Sequence, residues 1–122
     1  MGSLIVTSGE QASEFLPLGE RISVIGRVES LPLQILDDMV SRKHLRIRFH
    51  KDARKYYAED MGSKHGTFIN MRRITGETML AENDEIRIGE TKLLFTEKDF
   101  DTKESALVHW KKVGEKSRTT RI

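Results

Sequence analysis

Short alternating runs of apolar and polar residues occupy most of the first 98 positions. Residues 45–50 alternate Leu, Ile and Phe with Arg and His, and residues 86–88 place one isoleucine on each side of an arginine. A period of two is typical of a half-buried strand, because successive side chains point to opposite faces of a sheet. Further strands are predicted at 4–7, 15–18, 22–25, 56–59, 67–69 and 92–95.

Turn-forming residues separate these runs. Glycine, asparagine, aspartate and serine mark the turns at 8–10, 19–20, 61–63, 75–76, 83–84 and 89–90. Many short strands at close spacing favour an antiparallel sandwich or barrel over alternating strands and helices. The predicted fold class is therefore all-β.

The pattern changes after Phe100. Asp101 is followed three residues later by Glu104, a spacing typical of a helix N-terminus. Apolar residues then recur at helical spacing at positions 106, 107, 110 and 113. We predict a β domain over residues 1–98, and within residues 99–122 a short C-terminal helix that ends near Gly114 and a frayed basic tail.

Composition narrows the class of protein. A chain of 122 residues fits one domain with a modest appendage. It contains no cysteine, which excludes disulfides and thiolate chemistry. It has no run of 18 apolar residues and no secretory leader pattern, so we expect a soluble cytoplasmic protein with no membrane partner.

Charge is distributed unevenly along the chain. The net charge of +2 is too small to indicate a general nucleic-acid binder. Residues 41–75, however, contain ten Lys and Arg against three acids. This excess predicts a positive surface that attracts anionic groups.

Three polar clusters lie between predicted strands, at 26–27, 41–44 and 62–70. Loops gathered at one end of a sandwich commonly carry its function. Together the clusters supply two guanidinium groups, a hydroxyl, an ammonium group and side chains that can pair with peptide backbone, from Arg27, Arg42, Ser41, Lys64, His65 and Asn70. This set suits a phosphorylated side chain on a polypeptide.

The order of these motifs resembles the forkhead-associated (FHA) domain family. Gly-Arg is followed about fourteen residues later by Ser-Arg-x-His, then by Ser-x-x-Gly-Thr-x-x-Asn and Asp-Glu-Ile-x-Ile-Gly. The similarity covers about residues 3–97. It implies a β-sandwich of about eleven mostly antiparallel strands that binds a phosphothreonine-containing partner across loops at one apex, as an interaction module in signalling.

The resemblance also implies a role for each matching position. The phosphate-binding residues would be Arg27, Ser41, Arg42 and Lys64. The residues that contact the peptide backbone would be His65 and Asn70. The residues that support the loops would be Gly26, His44, Ser63, Gly66 and Thr67. His65 departs from the family, which usually has asparagine there.

Catalytic and metal-binding alternatives fit less well. The four histidines lack the spacing of metal ligands, so no metal or cofactor is expected. Ser41 and His44 form no recognisable triad, and no glycine-rich nucleotide loop is present. We therefore expect a protein that is not an enzyme. The alternative function is a phosphate-independent scaffold or self-association domain on the same fold.

Two further interpretations concern basic and tail residues. Arg72 and Arg73 are interpreted as ordinary surface residues. Thr119 has Ile122 three positions onward, and FHA domains commonly read the third residue after the phosphothreonine. A phosphorylated tail is therefore a hypothetical ligand for self-interaction.

Overall fold

The computed structural model describes residues 1–98 and the backbone of residues 103–119, with helix side chains described for residues 104–113. The described strands are β1 (Ser3–Val6), β2 (Phe15–Pro17), β3 (Ile22–Gly26), β4 (Leu33–Gln34), β5 (Leu45–His50), β6 (Lys55–Asp60), β7 (Thr67–Ile69), β8 (Arg72–Arg73), β9 (Thr78–Met79), β10 (Glu85–Ile88) and β11 (Thr91–Thr96). One helix, α1, spans Lys103–Thr119.

The strands form two sheets that enclose one core. The six-stranded sheet has the order β2-β1-β11-β10-β7-β8, and the five-stranded sheet has the order β4-β3-β5-β6-β9. Every described pair is antiparallel except β3 with β4. The expected eleven-stranded, mostly antiparallel sandwich is confirmed.

The alternation read from the sequence determines which side chains enter the core. Leu45 and Ile47 of β5 are buried, as are Ile86 and Ile88 of β10, whereas the intervening arginines face outward and are partly exposed. The inward side chains of both sheets form a single buried cluster, in which Phe95 is fully covered. Burial of this apolar surface is the main term that holds the sheets together.

Three strands escaped prediction. β4, β8 and β9 are two residues long each. Two positions cannot show a period of two, so such segments carry no pattern of their own. They exist because β3, β7 and β6 lie beside them and supply hydrogen-bond partners.

The predicted C-terminal helix is confirmed, but its predicted end near Gly114 is wrong, because α1 continues to Thr119. Glycine inside a helix costs about 1 kcal/mol relative to alanine, which does not by itself stop a helix. The expected cap at Asp101 and the end of the tail lie outside the described residues. No helix of the described chain is long and apolar enough to cross a bilayer.

One face of α1 covers part of the six-stranded sheet. Ala106 is fully buried, and Trp110 and Val113 pack with it against Ile5 and Leu94 on the outer side of β1 and β11. Among the side chains that the structure describes, none from β10, β7 or β8 belongs to this cluster. The helix therefore acts as a local cover over one half of the sheet.

Strand ends meet at one end of the sandwich, which we call the apex and define by residues 26–28, 35–44, 60–67 and 89–91. The register places Leu45 opposite both Ile25 and Asp60 in the five-stranded sheet. In the six-stranded sheet, Ile88 lies opposite Thr67 and Thr91. The three polar clusters of the sequence therefore begin at the same end of the fold.

Candidate functional site

The end of β3 is packed directly on the loop that precedes β5. A Cβ atom added to Gly26 would overlap the Arg42 carbonyl oxygen, so no other residue fits without moving the backbone. The Arg27 amide donates to the Ser41 carbonyl over 3.1 Å. Gly26 is thus the reason that Arg27 and Ser41 lie side by side.

The Arg27 side chain is fixed at one atom and open at the others. Its Nε donates to the Val40 carbonyl oxygen over 3.0 Å. Its two terminal nitrogens make no hydrogen bond or ion pair with the described part of the chain. The guanidinium is exposed, and its paired planar donors remain available to an anion.

The Ser41 hydroxyl connects two of the clusters. Its oxygen accepts a hydrogen bond from the Lys64 backbone amide over 3.1 Å. A hydroxyl that accepts one bond still has its own proton to donate. Ser41 therefore positions the 63–66 loop and retains a donor for a ligand oxygen.

His44 braces the same two loops from beneath. It is fully buried, its Nδ1 accepts from the Ser41 amide over 3.0 Å, and its Nε2 lies 2.8 Å from the Gly66 carbonyl oxygen. An Nδ1 that accepts carries no proton, so Nε2 carries it and donates to Gly66. This geometry suits a bracing side chain and leaves neither ring nitrogen for catalysis.

Asp60 organises the 60–67 loop, a role that sequence reasoning missed. Its carboxylate accepts from the Ser63 amide over 2.9 Å, from the Ser63 hydroxyl, and from the Thr67 hydroxyl over 2.8 Å. Burial would raise the pKa of Asp60, but these hydrogen bonds outweigh it and hold the pKa below the usual value. The sequence signal is the Asp-x-x-Ser spacing in a glycine-containing turn.

Asp37 organises the segment that leads into Ser41, and sequence reasoning did not predict this role either. One carboxylate oxygen accepts from the Glu90 amide over 2.8 Å and from the Thr91 hydroxyl over 2.9 Å. The other accepts from the Met39 amide over 2.9 Å. Burial opposes ionisation, but these donors lower the pKa of Asp37. The carboxylate thereby ties the Ser41 loop to the β10–β11 turn.

Three predicted site residues project from this framework into solvent. Arg42, Lys64 and His65 are exposed, and their side chains make no hydrogen bond or ion pair with the described residues. They lie within one to three residues of the braced atoms of Ser41, His44 and Gly66. The backbone beneath them is therefore ordered while their charges and donors stay available.

Asn70 lies apart from this group, and its expected contact with a peptide backbone stays a prediction. Its Nδ2 donates to Asp84 over 2.8 Å, and its Oδ1 accepts from the Glu85 amide over 3.0 Å. It follows the far end of β7, about 13 Å from Gly66 at 3.3 Å per residue. With φ of 50°, Asn70 closes the β7–β8 turn rather than reaching the apex.

Arg73 lies closer to the site than the sequence suggested. Gly66 has φ of 85°, and a Cβ atom there would lie 2.8 Å from the Arg73 Nε. The guanidinium therefore packs on the bare Gly66 backbone, next to His65. Arg73 is exposed, as expected of a surface residue, but the sequence carried no sign of this contact.

The apex as a whole presents cations without carboxylate partners. Arg27, Arg42 and Lys64 make no ion pair with described residues, because Asp37 and Asp60 are occupied by amide and hydroxyl donors. Guanidinium, ammonium and hydroxyl groups around one loop junction are donors that can bind the oxygens of a tetrahedral anion. The fold and site thus define a β-sandwich module for anion binding.

Comparison with known proteins identifies the family. Residues 23–89, more than half of the chain, match the FHA domain model, and the chain belongs to the FHA domain family. The matched segment contains the three polar clusters at 26–27, 41–44 and 62–70.

A curated relative agrees with this assignment. The chain is 32% identical over 88 residues to the FHA domain-containing protein FhaB of Mycolicibacterium smegmatis, covering 72% of this chain and 56% of FhaB. It therefore spans little more than half the length of that relative.

Two solved structures match the fold over most of the chain. One comes from a structural and functional analysis of phosphothreonine-dependent FHA domain interactions, with 27% identity, a TM-score of 0.71, and coverage of 81% of this chain and 98% of that one. The other is the FhaA FHA domain complexed with the intracellular domain of Rv3910, with 28% identity, a TM-score of 0.69, and coverage of 78% and 99%.

Proposed function

We propose that the chain is a phosphothreonine-dependent interaction module that recruits phosphorylated partner proteins in signalling. The observation that carries the proposal is the junction of Arg27 and Ser41, where an open guanidinium and a hydroxyl with a free proton lie on adjoining loops. The phosphothreonine-dependent interactions of a structurally similar FHA domain support it.

Recognition follows from the charge and donors at the apex. A phosphorylated side chain carries about −1.5 to −2 charges at pH 7 and three acceptor oxygens. Arg27 and Ser41 contact these oxygens directly, and Arg42 and Lys64 add charge from the flanking loops. His65 contacts the peptide backbone in place of the family's asparagine, with one donor and one acceptor when neutral.

The module acts by binding and catalyses no reaction. It works within a cytoplasmic protein. Its partner is a phosphoprotein rather than nucleic acid or a membrane. Gly26, His44, Ser63, Gly66 and Thr67 hold the loops in place and contact no ligand. Threonine is preferred over serine, because one buried methyl group contributes about 1 kcal/mol. Self-interaction through a phosphorylated Thr119 remains a prediction, since that side chain lies outside the described residues.

A titration with matched peptides tests the proposal. A phosphothreonine peptide selected from a library should bind, while its unphosphorylated twin should not, as measured by calorimetry. Arg27→Ala and Ser41→Ala should each weaken binding by about 10- to 100-fold, since each removes a hydrogen bond to a charged group. Lys51→Ala, in the exposed β5–β6 turn far from the apex, is the matched control and should bind as the parent does.

The opposite result favours the scaffold. If both peptides bind alike, and the Arg27 and Ser41 variants bind as tightly as the parent, the phosphate is not the ligand. The fold would then act through a phosphate-independent surface.

A further inference from the structure

A row of side chains crosses β8, β7, β10 and β11 on the outer side of the six-stranded sheet, beside the apex. Phe68 lies opposite Arg73 on β8 and opposite Arg87 on β10, and Arg87 lies opposite Lys92 on β11. Directly opposed residues share a face of the sheet. Their neighbours Ile69, Ile86 and Ile88 are buried in the core, so these four side chains form an outward row, which we call the cationic row.

The middle of the cationic row is an ordered cation. The Arg87 guanidinium lies 4.2 Å from the centroid of the Phe68 ring, an attractive cation–π geometry. Its Nη1 also donates to the Gly89 carbonyl over 3.0 Å. Neither contact neutralises the charge, so the fold holds a positive group in place with donors remaining.

The Arg73 end of the row is also unneutralised. Arg73 makes no ion pair with the described residues, although Glu59 and Asp60 line the same cleft. Glu59 pairs with Arg46, and Asp60 accepts from Ser63 and Thr67. Both nearby carboxylates are therefore occupied elsewhere.

Lys92 at the other end has a weak partner. Its Nζ lies 3.6 Å from Glu85, with both side chains about half exposed. An exposed pair of this kind contributes little and exchanges readily with a competing carboxylate. Lys92 is thus available to a ligand as well.

The row is continuous with the phosphate site. Arg73 packs on Gly66, whose carbonyl is the acceptor for His44 and which follows His65 directly. From there the row crosses four strands, a span of about 14 Å at 4.8 Å per strand, which equals about four residues of extended peptide. A chain held at the apex would reach it without a linker.

We propose that the cationic row binds an acidic segment of about four residues in the same phosphorylated partner, next to the phosphothreonine. This inference rests on the proposed function and adds the class of sequence that the partner carries. Charge complementarity selects the occupant, because the row offers three cations and one aromatic ring. Nucleic acid is disfavoured, since the chain's net charge is only +2.

The experiment compares phosphothreonine peptides extended by four glutamates or by four glutamines, on either side of the phosphorylated residue. The glutamate extension on one side should tighten binding about fivefold at low ionic strength, as expected for two or three exposed ion pairs, and the gain should shrink with added salt. The readout is the ratio of the two dissociation constants from fluorescence anisotropy.

Two variants and a control assign the gain to the row. Arg73→Gln and Arg87→Gln should each lower the ratio of the two dissociation constants toward one. Arg87→Gln also removes the contact with the Phe68 ring. If that loss disturbs folding, Arg73→Gln still tests the inference. Lys51→Gln removes an equal charge from the far end of the sandwich and should leave the ratio unchanged.

A second readout separates this inference from the proposed function. In amide NMR spectra, an unphosphorylated acidic peptide at high concentration should shift Phe68, Arg73 and Arg87 even if no phosphopeptide binds at all. Equal affinity of the glutamate and glutamine peptides, or a gain that persists in both arginine variants, would overturn the inference. So would a plain DNA oligonucleotide that shifts the same amides at lower concentration than the acidic peptide.

Discussion

Two regions of this molecule are rich in cations, and they use them differently. On the outer face of the five-stranded sheet the basic side chains are paired, as Arg46–Glu59, Arg48–Glu77, His50–Glu77 and Lys55–Glu97. At the apex, Arg27, Arg42 and Lys64 have no such partner among the described residues. The cations of these two regions therefore differ in their partners, and only the apex cations have charge left to offer to a ligand.

The acids account for the difference. On the sheet face, Glu59 and Glu77 accept from arginine. At the apex, Asp37 and Asp60 accept from backbone amides and hydroxyls, which fixes the loops and leaves the guanidinium groups open. The same chemical groups thus neutralise one surface and organise the other.

The largest effect should come from the close backbone contact that assembles the apex. Gly26→Ala places a methyl group against the Arg42 carbonyl and should cost about 3 kcal/mol of unfolding free energy, in the upper range for overpacking. Denaturant unfolding measures it. Gly76→Ala is the control, because a Cβ there meets no atom within 4 Å. Equal stability of the two variants would show that the apex loops are not in contact.

A smaller effect should follow from removing the charge of Asp60. Asp60→Asn places amide hydrogens against donors of Ser63 and should cost about 2 kcal/mol of unfolding free energy at pH 7. Because the folded pKa of Asp60 lies below the ordinary 3.8, its contribution is present above that value and is lost as pH falls through the folded pKa.

Urea unfolding between pH 7 and pH 3 tests the sign. The parent should lose more stability on acidification than Asp60→Asn does. The exposed Asp52→Asn serves as the control and should follow the parent. If Asp60→Asn loses as much stability on acidification as the parent does, protonation of Asp60 is not the cause of the loss.

The smallest effect should come from the paired face. Arg46→Gln breaks a partly exposed ion pair with Glu59 and should change the unfolding free energy by about 0.5 kcal/mol or less. It should also leave phosphopeptide affinity unaltered, in contrast to Arg27→Ala. A loss of affinity as large as that of Arg27→Ala would erase the distinction between the two regions.

The local sequence pattern was sufficient to predict the main strands and to give the order of the motifs. The alternation over residues 45–50 and 86–88 predicted β5 and β10, because a strand's side-chain period is set by its own backbone. The Gly-Arg and Ser-Arg-x-His motifs likewise located the loops of the apex. The alternation is a local property, and it specifies only the strand conformation and side-chain direction of a few neighbouring residues.

Only the tertiary structure decided which polar groups meet. Asp37 accepts from Glu90 across 53 positions of sequence, and His44 contacts Gly66 across 22. Arg73 reaches Gly66, and Asn70 turns away from the apex, because β7 and β8 pair in one register. A side chain's partner depends on which loops the sheet topology brings together, and no local pattern encodes that.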